Sequence, residues 1–325
     1  MTRDDLTGSG PADAALRRIL SRADAPELLE LLDLLADRMP GADLTTLLLE
    51  VFRRRAERLS PAEVMRRYRN DRFMTPAPVE FSALRRTEDA LVSALPDGFE
   101  MLVLAPVVPL AAHAAVATVD PRKVIATVRG SEVAADPTNA LALEAAHRRS
   151  LALTADPRSP TPVRLAASQR VTRAQSFKSP GSLAHFQVFG LVTAGRDTGS
   201  HRFDRHLAEH LEFAARATAG AGARDTQIRL TALEDAAGEV VERTCHHLSG
   251  LPGVQVREDP DRATGRGYYT GVCFKVFADI GGEHAEVGDG GFVPWSQLLT
   301  GNRKERLLIS GFGVDRLAGA FTSES

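Results

Sequence analysis

The chain has 325 residues, 43% hydrophobic and 25% charged, with a formal net charge of −2 at pH 7. This is ordinary globular composition, long enough for one large domain with an appendage, and its charge supplies no general attraction to nucleic acid or anionic lipid. Cys245 and Cys273 stand too far apart for a metal or redox motif; no apolar run reaches membrane-spanning length and "MTRDDLTGSGPADAA" lacks a signal-peptide core, so a cytoplasmic protein is expected.

In chain order, residues 1–12 read as disordered. Helical patterns follow over 14–22, 26–38 and 44–58. A fourth starts at "SPAE", where Ser60 caps, Pro61 suits the first helical position and Glu63 closes a capping box. Residues 13–73 thus form a helical extension. Its stripes "LLELLDLL" and "LTTLLLEVF" are apolar enough to be expected against the core or a partner chain. "MTPAP" breaks the pattern and opens a core of residues 74–325.

The core begins with a helix over 79–95 and strands in "FEMLVLAPVV" and "KVIATVRG". A helix in "DPTNALALEAAHRRSLAL" follows, with Asn139 or Thr138 as cap. Two long strands, "VRLAASQRVTR" and "LAHFQVFGLVTAG", flank the polar loop "AQSFKSPGS". Then come a helix at 205–219, the strand "TQIRLTAL", a helix at 237–248, "VQVRED" and the alternating strand "GRGYYTGVCFKVF". The chain closes on "EHAEVGDGG", a short helix at 296–299 and "LLISGFGVDRLAGAF". Strands on short loops with helices between them imply α+β with an antiparallel sheet. No Gly-rich turn follows the early strands, which disfavours a dinucleotide-binding fold.

Three stretches carry candidate chemistry. Arg170 lies inside an apolar strand, where it is costly unless an anion meets it. In "GFGVDRL", Gly311 and Gly313 leave room for a flat ligand and Arg316 follows at the helix start. Two arginines on separate elements can clamp a triphosphate. In the Tyr-Tyr-Thr-Gly stretch, strand alternation would send Tyr268 and Tyr269 to opposite faces, and Gly271 would admit the ligand to the backbone. Glu283, Glu286 and Asp289 bracket a Gly-Gly turn, either as solvated carboxylates or as Mg²⁺ holders through phosphate oxygens. His246 and His247 are consecutive on a helix and point apart, so no metal site is expected there.

These stretches together resemble the catalytic core of class II aminoacyl-tRNA synthetases, within it the histidyl-tRNA synthetase group. "RVTR…HFQVFG" is similar to motif 2, "SGFGVDRLAGAF" to motif 3, and "GYYTGVCF" to the histidine signature. "VGDGGFVPWSQLL" stands where the family has Gly-Gly-Arg-Tyr-Asp, and "ADPTNALALEAA" where it has Arg-Pro-Glu-x-Thr. The resemblance covers residues 78–325 and implies a sheet of about six antiparallel strands and a homodimer. It implies ATP with Mg²⁺ as cofactors, Arg170 and Arg316 as the catalytic pair facing one another across a cleft, and Arg173, His185, Phe186, Gly311 and Gly313 around the nucleotide. Tyr268, Tyr269, Gly271, Val188, Val192 and Gly290 would line the acid pocket. The motif 2 glutamate is replaced by Thr172, and the two residues that grip histidine by Val188 and Val192. Valine cannot bond imidazole, so a less polar acid is expected. The signature arginine is Thr264, with Arg262 or Arg266 as stand-ins by a shifted reach. The chain ends at motif 3, which implies no anticodon-binding domain. Two functions are consistent with this: ATP-dependent activation of a carboxylic or amino acid as acyl-adenylate for a small-molecule or carrier-protein acceptor, or a regulatory, ligand-sensing protein like the regulatory subunit of ATP phosphoribosyltransferase.

Overall fold

The computed structural model describes residues 18, 19, 21, 25–175, 183–196 and 202–322. The expected disordered start, most of the expected helix at 14–22 and most of the loop "AQSFKSPGS" lie outside the described residues. The chain divides into two compact units: residues up to Asp71 together with Ala126–Ser131, and Arg72–Ile125 together with residues from Glu132 onward.

In the first unit, helix α1 (Ala25–Asp33) runs into a π-helical turn (Leu34–Arg38), followed by α2 (Gly41–Ala56) and α3 (Pro61–Asn70). The capping box expected at Ser60 is present: the Glu63 N–H donates to Ser60 Oγ (3.3 Å), and the Ser60 N–H donates to Glu63 Oε2 (2.9 Å). No described side chain of these helices is buried. Leu31, Leu47, Phe52 and Met65 are exposed.

The second unit starts with α4 (Phe81–Ala94), β1 (Glu100–Met101) and β2 (Val107–Pro109). A π-helical turn (Ala112–Val116), a 3₁₀ turn (Pro121–Lys123) and β3 (Ser131–Val133) lead to α5 (Pro137–Ala155). Then follow β4 (Val163–Thr172), β5 (His185–Arg196), α6 (Arg202–Gly220), β6 (Arg224–Ala232), α7 (Gly238–Leu248), β7 (Val254–Glu258), β8 (Thr270–Ile280) and β9 (Glu283–Val293). The chain finishes with α8 (Trp295–Thr300), β10 (Glu305–Gly313), α9 (Val314–Leu317) and α10 (Gly319–Thr322).

The architecture is the expected α+β. One sheet of eight strands runs β1-β4-β5-β10-β9-β8-β6-β7. The central six strands pair antiparallel as expected, and β1 and β7 add parallel edges that the sequence pattern did not predict. "KVIATVRG" is not the expected strand. Asp120 caps the Pro121 turn through the Arg122 N–H (3.0 Å), and Gly130 turns the chain in the left-handed region, so only β3 after it is extended. The cap of α5 is Asp136, whose carboxylate accepts from the Thr138 N–H (2.9 Å), rather than Thr138 or Asn139. Pro137, which has no N–H to satisfy, occupies the first helical position and fixes the cap one residue before it.

Helices cover both faces. On one, Leu141, Ala142 and Ala145 of α5 pack with Leu165, Ala167, Val192, Ala194 and Ile309. On the other, Leu91 of α4 and Leu207, Leu211 and Phe213 of α6 pack with Ala166, Phe189, Leu191 and Phe312. The strands therefore split by alternation: odd positions of β4 and even positions of β5 face α5, and the remainder face α4 and α6.

Two buried polar devices lock the layers. Arg149 of α5 donates to both carboxylate oxygens of Glu305 at the start of β10 (2.7 and 2.8 Å) and to the Thr161 and Ser159 carbonyls (2.7 and 3.1 Å); both side chains are fully buried. On the other face, His210 of α6 sits between Thr193 Oγ1 (2.9 Å) and Ser310 Oγ (2.5 Å). Burial drives its pKa down to about 3, with His206 and Arg164 adding repulsion.

Removing one partner of a buried ion pair costs about 3–5 kcal/mol. Glu305→Ala is expected to lose that much in urea unfolding, and Arg149→Met/Glu305→Leu to recover most of it. A Glu305→Ala protein as stable as the parent would refute the locking role. For His210 the folded pKa lies below the unfolded value, so the unfolded chain takes the proton first as pH falls. Its contribution is complete above about pH 6.5 and is lost toward pH 3. The fall in melting temperature between pH 7 and pH 5 should therefore be smaller in His210→Gln than in the parent.

Candidate functional site

A cavity of about 760 Å³ opens on the α5 face of the sheet, of the size that holds small-molecule ligands. Its walls come from His113 and the segment after it, from the start of α5, from Arg173 and Gln175 beyond β4, and from Tyr268, Tyr269, Asp289 and Gly311.

The α5 wall is held rigidly. His113 and Glu132 are buried and bonded, Nδ1 to Oε1 at 2.5 Å. His113 Nε2 accepts from the Ala135 N–H (3.0 Å), so Nδ1 carries the proton. Glu132 also accepts from the His113 N–H (2.9 Å). The pair thus fixes Ala135 and Asp136 at the mouth of α5. Asp136 in turn receives Arg173 Nη2 (3.0 Å), while Arg173 Nε donates to the Ala135 carbonyl (3.0 Å) and the guanidinium lies over the Phe186 ring, 5.1 Å from its centre. Arg173 is therefore a pre-oriented cation.

The tyrosine wall differs from the expectation. Tyr268 and Tyr269 precede β8, which begins at Thr270, so strand alternation does not separate them. Both line the cavity, with ring centres 4.8 Å apart and edge to face, and Tyr268 packs the same way on buried Trp295 (5.5 Å). Tyr269 Oη donates to Asp289 Oδ2 (3.1 Å). Burial pushes both phenols well above the usual tyrosine range, with Asp136 and Asp289 adding for Tyr268 and Asp289 for Tyr269. Asp289 is itself raised, first by desolvation and then by Glu286, against the pull of Arg262.

The expected arginine pair lies elsewhere. Arg170 is an even position of β4 and takes the face of Ser168, which donates to Glu88 of α4 (2.6 Å). Its Nε donates to His185 Nδ1 (2.8 Å) and its Nη1 pairs with Asp315 (3.3 Å). His185 Nε2 donates to the Thr75 carbonyl (2.7 Å), so His185 also belongs to this opposite face. Arg316 donates to the Glu286 carbonyl. Neither arginine nor His185 lines the cavity.

Of the glycines, Gly311 lines the cavity, and a Cβ there would meet only Val188 Cγ1 at 3.7 Å. Gly313 abuts Arg316 at the strand end. Gly271 does not line the cavity; its φ of +64° makes the bulge between Thr270 and Cys273. A Cβ on Gly290 would strike the Phe274 ring, so that glycine serves sheet packing. Val192 is fully buried under α5, and Val188 packs with Ala134 and Val171. Neither reaches the cavity, so the expected apolar lining, and the exclusion of histidine argued from it, have no contact behind them. In their place the cavity presents Asp136 and Asn139 of "ADPTNALALEAA" and Asp289 of "VGDGGFVPWSQLL", stretches set against family motifs but not expected to line the acid pocket through these side chains. Thr264 lines the cavity, whereas Arg262 is retracted behind Tyr269, with Nη1 on the Phe274 carbonyl (2.9 Å) and Nη2 3.7 Å from Asp289. Arg266 turns away to the Arg262 and Pro260 carbonyls.

For a nucleotide the wall residues fit at one end: Arg173 on Phe186, with Lys123 and Gln175 beside it, is a cationic and aromatic surface. Of the two readings of Glu283, Glu286 and Asp289, the Mg²⁺-holding one finds no assembled group among the described residues. Glu283, Glu286 and Asp289 lie on β9, Glu286 takes Lys275 (2.6 Å), and no group of three or more His, Cys, Asp or Glu suited to a metal occurs among the described residues. No described helix is long and apolar enough to cross a membrane.

No family model and no curated protein matches the sequence. Solved structures do. An ATP phosphoribosyltransferase regulatory subunit/histidyl-tRNA synthetase from Bacillus halodurans aligns at 14% identity over 76% of this chain and 82% of its own, with a TM-score of 0.55. A histidine–tRNA ligase subunit from Alicyclobacillus acidocaldarius aligns at 17% over 77% and 96%, TM-score 0.58. Apo histidyl-tRNA synthetase of S. aureus aligns at 16% over 75% and 66%, TM-score 0.56. The fold is class II synthetase-like. At these identities the likeness establishes the fold shared with histidyl-tRNA synthetases and the regulatory subunit.

A buried hydrogen bond contributes about 1 kcal/mol. Tyr269→Phe, which strips Asp289 of its phenol donor, should lose about that in chemical denaturation. Tyr268→Phe, which keeps its ring packing on Trp295, should unfold like the parent. Equal losses in both variants would contradict the geometry.

Proposed function

We propose that the chain activates a carboxylic acid, an amino acid in the first instance, with ATP to form an acyl-adenylate for transfer to a small molecule or carrier protein. The observation that carries the reading is Arg173, anchored through Nε and Nη2 and laid on Phe186, at one wall of a cavity whose other wall holds Tyr268 and Tyr269. A carboxylate oxygen of the acid attacks the α-phosphorus in line. The new oxygen–phosphorus bond forms as the bond to the bridging oxygen breaks, and pyrophosphate leaves with the electron pair. Negative charge on the α-phosphate oxygens meets a guanidinium already oriented, which lowers the barrier without reorganisation. Arg173 takes the role that the sequence pattern assigned to Arg170. Mg²⁺ is proposed as a companion of the triphosphate rather than of a protein cage. A homodimer is proposed on the strength of the fold.

A second reading is a ligand-sensing protein that binds without catalysis. The engagement of Arg170 by His185 and Asp315, of Arg316 by the Glu286 carbonyl and of Arg173 by Asp136 favours it, since all three cations already have partners.

ATP–pyrophosphate exchange with a panel of acids separates the two. Exchange is expected, lowered about 100-fold or more by Arg173→Ala and far less by Arg170→Ala. Exchange equally sensitive to both would return the role to Arg170. No exchange with any acid, together with a melting temperature raised by ATP, would leave sensing as the function.

A further inference from the structure

Among the described residues, Asp289 is the cavity carboxylate with the weakest counter-charge; Asp120 pairs with Arg122 (3.1 Å). Asp136 is spent: it caps α5 through the Thr138 N–H and hydroxyl (2.9 and 2.7 Å) and takes Arg173 (3.0 Å). Among the described residues, Asp289 receives one hydrogen bond, from Tyr269 Oη at 3.1 Å. Its nearest cation, Arg262 Nη2, stands 3.7 Å away and is committed by its other nitrogens to the Thr264 and Phe274 carbonyls (2.7 and 2.9 Å). Lys275, opposite Asp289 in the β8–β9 register, is taken by Glu286 (2.6 Å). Yet 44% of the Asp289 side chain remains accessible, on the cavity wall. A carboxylate so placed, with Glu286 and Asp136 adding repulsion, favours a cation that enters with the ligand.

A second and independent feature points to the ligand's other end. Asn139 lines the cavity and is only 2% exposed, but its Nδ2 has no hydrogen-bond partner among the described residues. A buried amide without an acceptor costs stability unless something fills the site.

Taking the cavity as the acid site proposed above, we infer that its ligand is a basic amino acid or a close analogue. A protonated side-chain nitrogen, ammonium or guanidinium, sits against Asp289, and an acceptor oxygen sits against Asn139 Nδ2. The valines at 188 and 192, which suggested an apolar side chain, lie outside the cavity, and the wall they were expected to form is acidic.

The test is calorimetry on the full chain at pH 7.5 with two isosteric pairs, L-lysine against L-norleucine and L-arginine against L-citrulline. The charged member of at least one pair is expected to bind ten times or more tighter than its neutral partner. Asp289→Asn should bring that pair within about twofold, while Asp289→Glu keeps the preference. Neutral members binding as well as charged ones, a preference that survives Asp289→Asn, or no binding by any of the four would each overturn the inference. If Asp289→Asn does not fold, the pairs measured on the parent still decide. A thermal melt with ATP alone and pyrophosphate exchange run beside it keep the readings apart. Basic ligands that bind without ATP protection or exchange leave this inference standing and remove the adenylating function. ATP protection and exchange with neutral acids only do the reverse.

Discussion

A strand side chain has only two faces to choose from, and the chemistry of this protein depends on which one each β4 residue takes. The pairing of β4 with β5 runs unbroken from Val163 opposite Ala194 to Thr172 opposite His185. With no bulge to reset the alternation, the burial of Leu165 and Ala167 under α5 dictates that Arg170 points to the other side. Arg173, three residues later and still tied to the Ala184 carbonyl (2.9 Å), lands on the cavity side. A one-residue slip would exchange the two arginines, and with them the site. The Arg149–Glu305 pair opposes such a slip by joining α5 to β10, the strand on the far side of β5.

The same logic explains why so much polar material lies buried near the cavity. His113, Glu132, Asp136 and Arg173 form a chain of bonds from the π-helical turn to the end of β4. None of these links holds regular secondary structure together; together they set the position of the first turn of α5 and the plane of one guanidinium. Buried polar groups that satisfy each other rigidify what they touch. The Asn139 amide lies within this network, and its lack of a partner among the described residues stands out against the completeness around it.

The fold was legible in the sequence to a degree the site was not. Long alternating runs such as "LAHFQVFGLVTAG", the capping box at Ser60 and the Gly-x-Gly-x-x-Arg turn carry local signals that survive in one chain, and they located the main elements and the central antiparallel strands. The segments of β1 and β7 were marked, in "FEMLVLAPVV" and "VQVRED", but their parallel pairing at the sheet edges was not, because strand direction is set by connections and partners rather than by local periodicity. The site escaped for a different reason. "RVT" and "TRA" are equivalent as strings, and only the register against β5 reveals that Arg173 and not Arg170 faces the cavity. Tyr268 and Tyr269 read as strand residues because the alternation after them is strong, yet the left-handed Gly265 and Gly271 on either side hold them in a turn, which brings both rings to one cavity. Asp289 belonged to a glycine-rich run that reads as a loop. Its place in β9, beside Tyr269, depends on contacts with residues 20 positions earlier.

What the cavity selects follows from where its cation went. The signature position that would present an arginine holds Thr264, and the nearby Arg262 is 6% exposed, drawn behind Tyr269 by two backbone carbonyls. A guanidinium in front of a tyrosine wall attracts the negative end of a ligand. Moved behind the wall, with Asp289 in front, it partly neutralises that carboxylate and leaves the surface negative. The positive groups still open to the cavity, Lys123 and Arg173, are on the segments that lead into α5 and out of β4. Asp120 and Asp136 stand at the same end, Asp136 paired with Arg173 (3.0 Å), so the cations there are partly offset, as Asp289 is by Arg262 behind it. On the proposal above, the ligand's acid group would lie beside Arg173 and Lys123 and its basic end beside Asp289. On that proposal, selection at Asp289 and chemistry at Arg173 belong to different walls of the cavity.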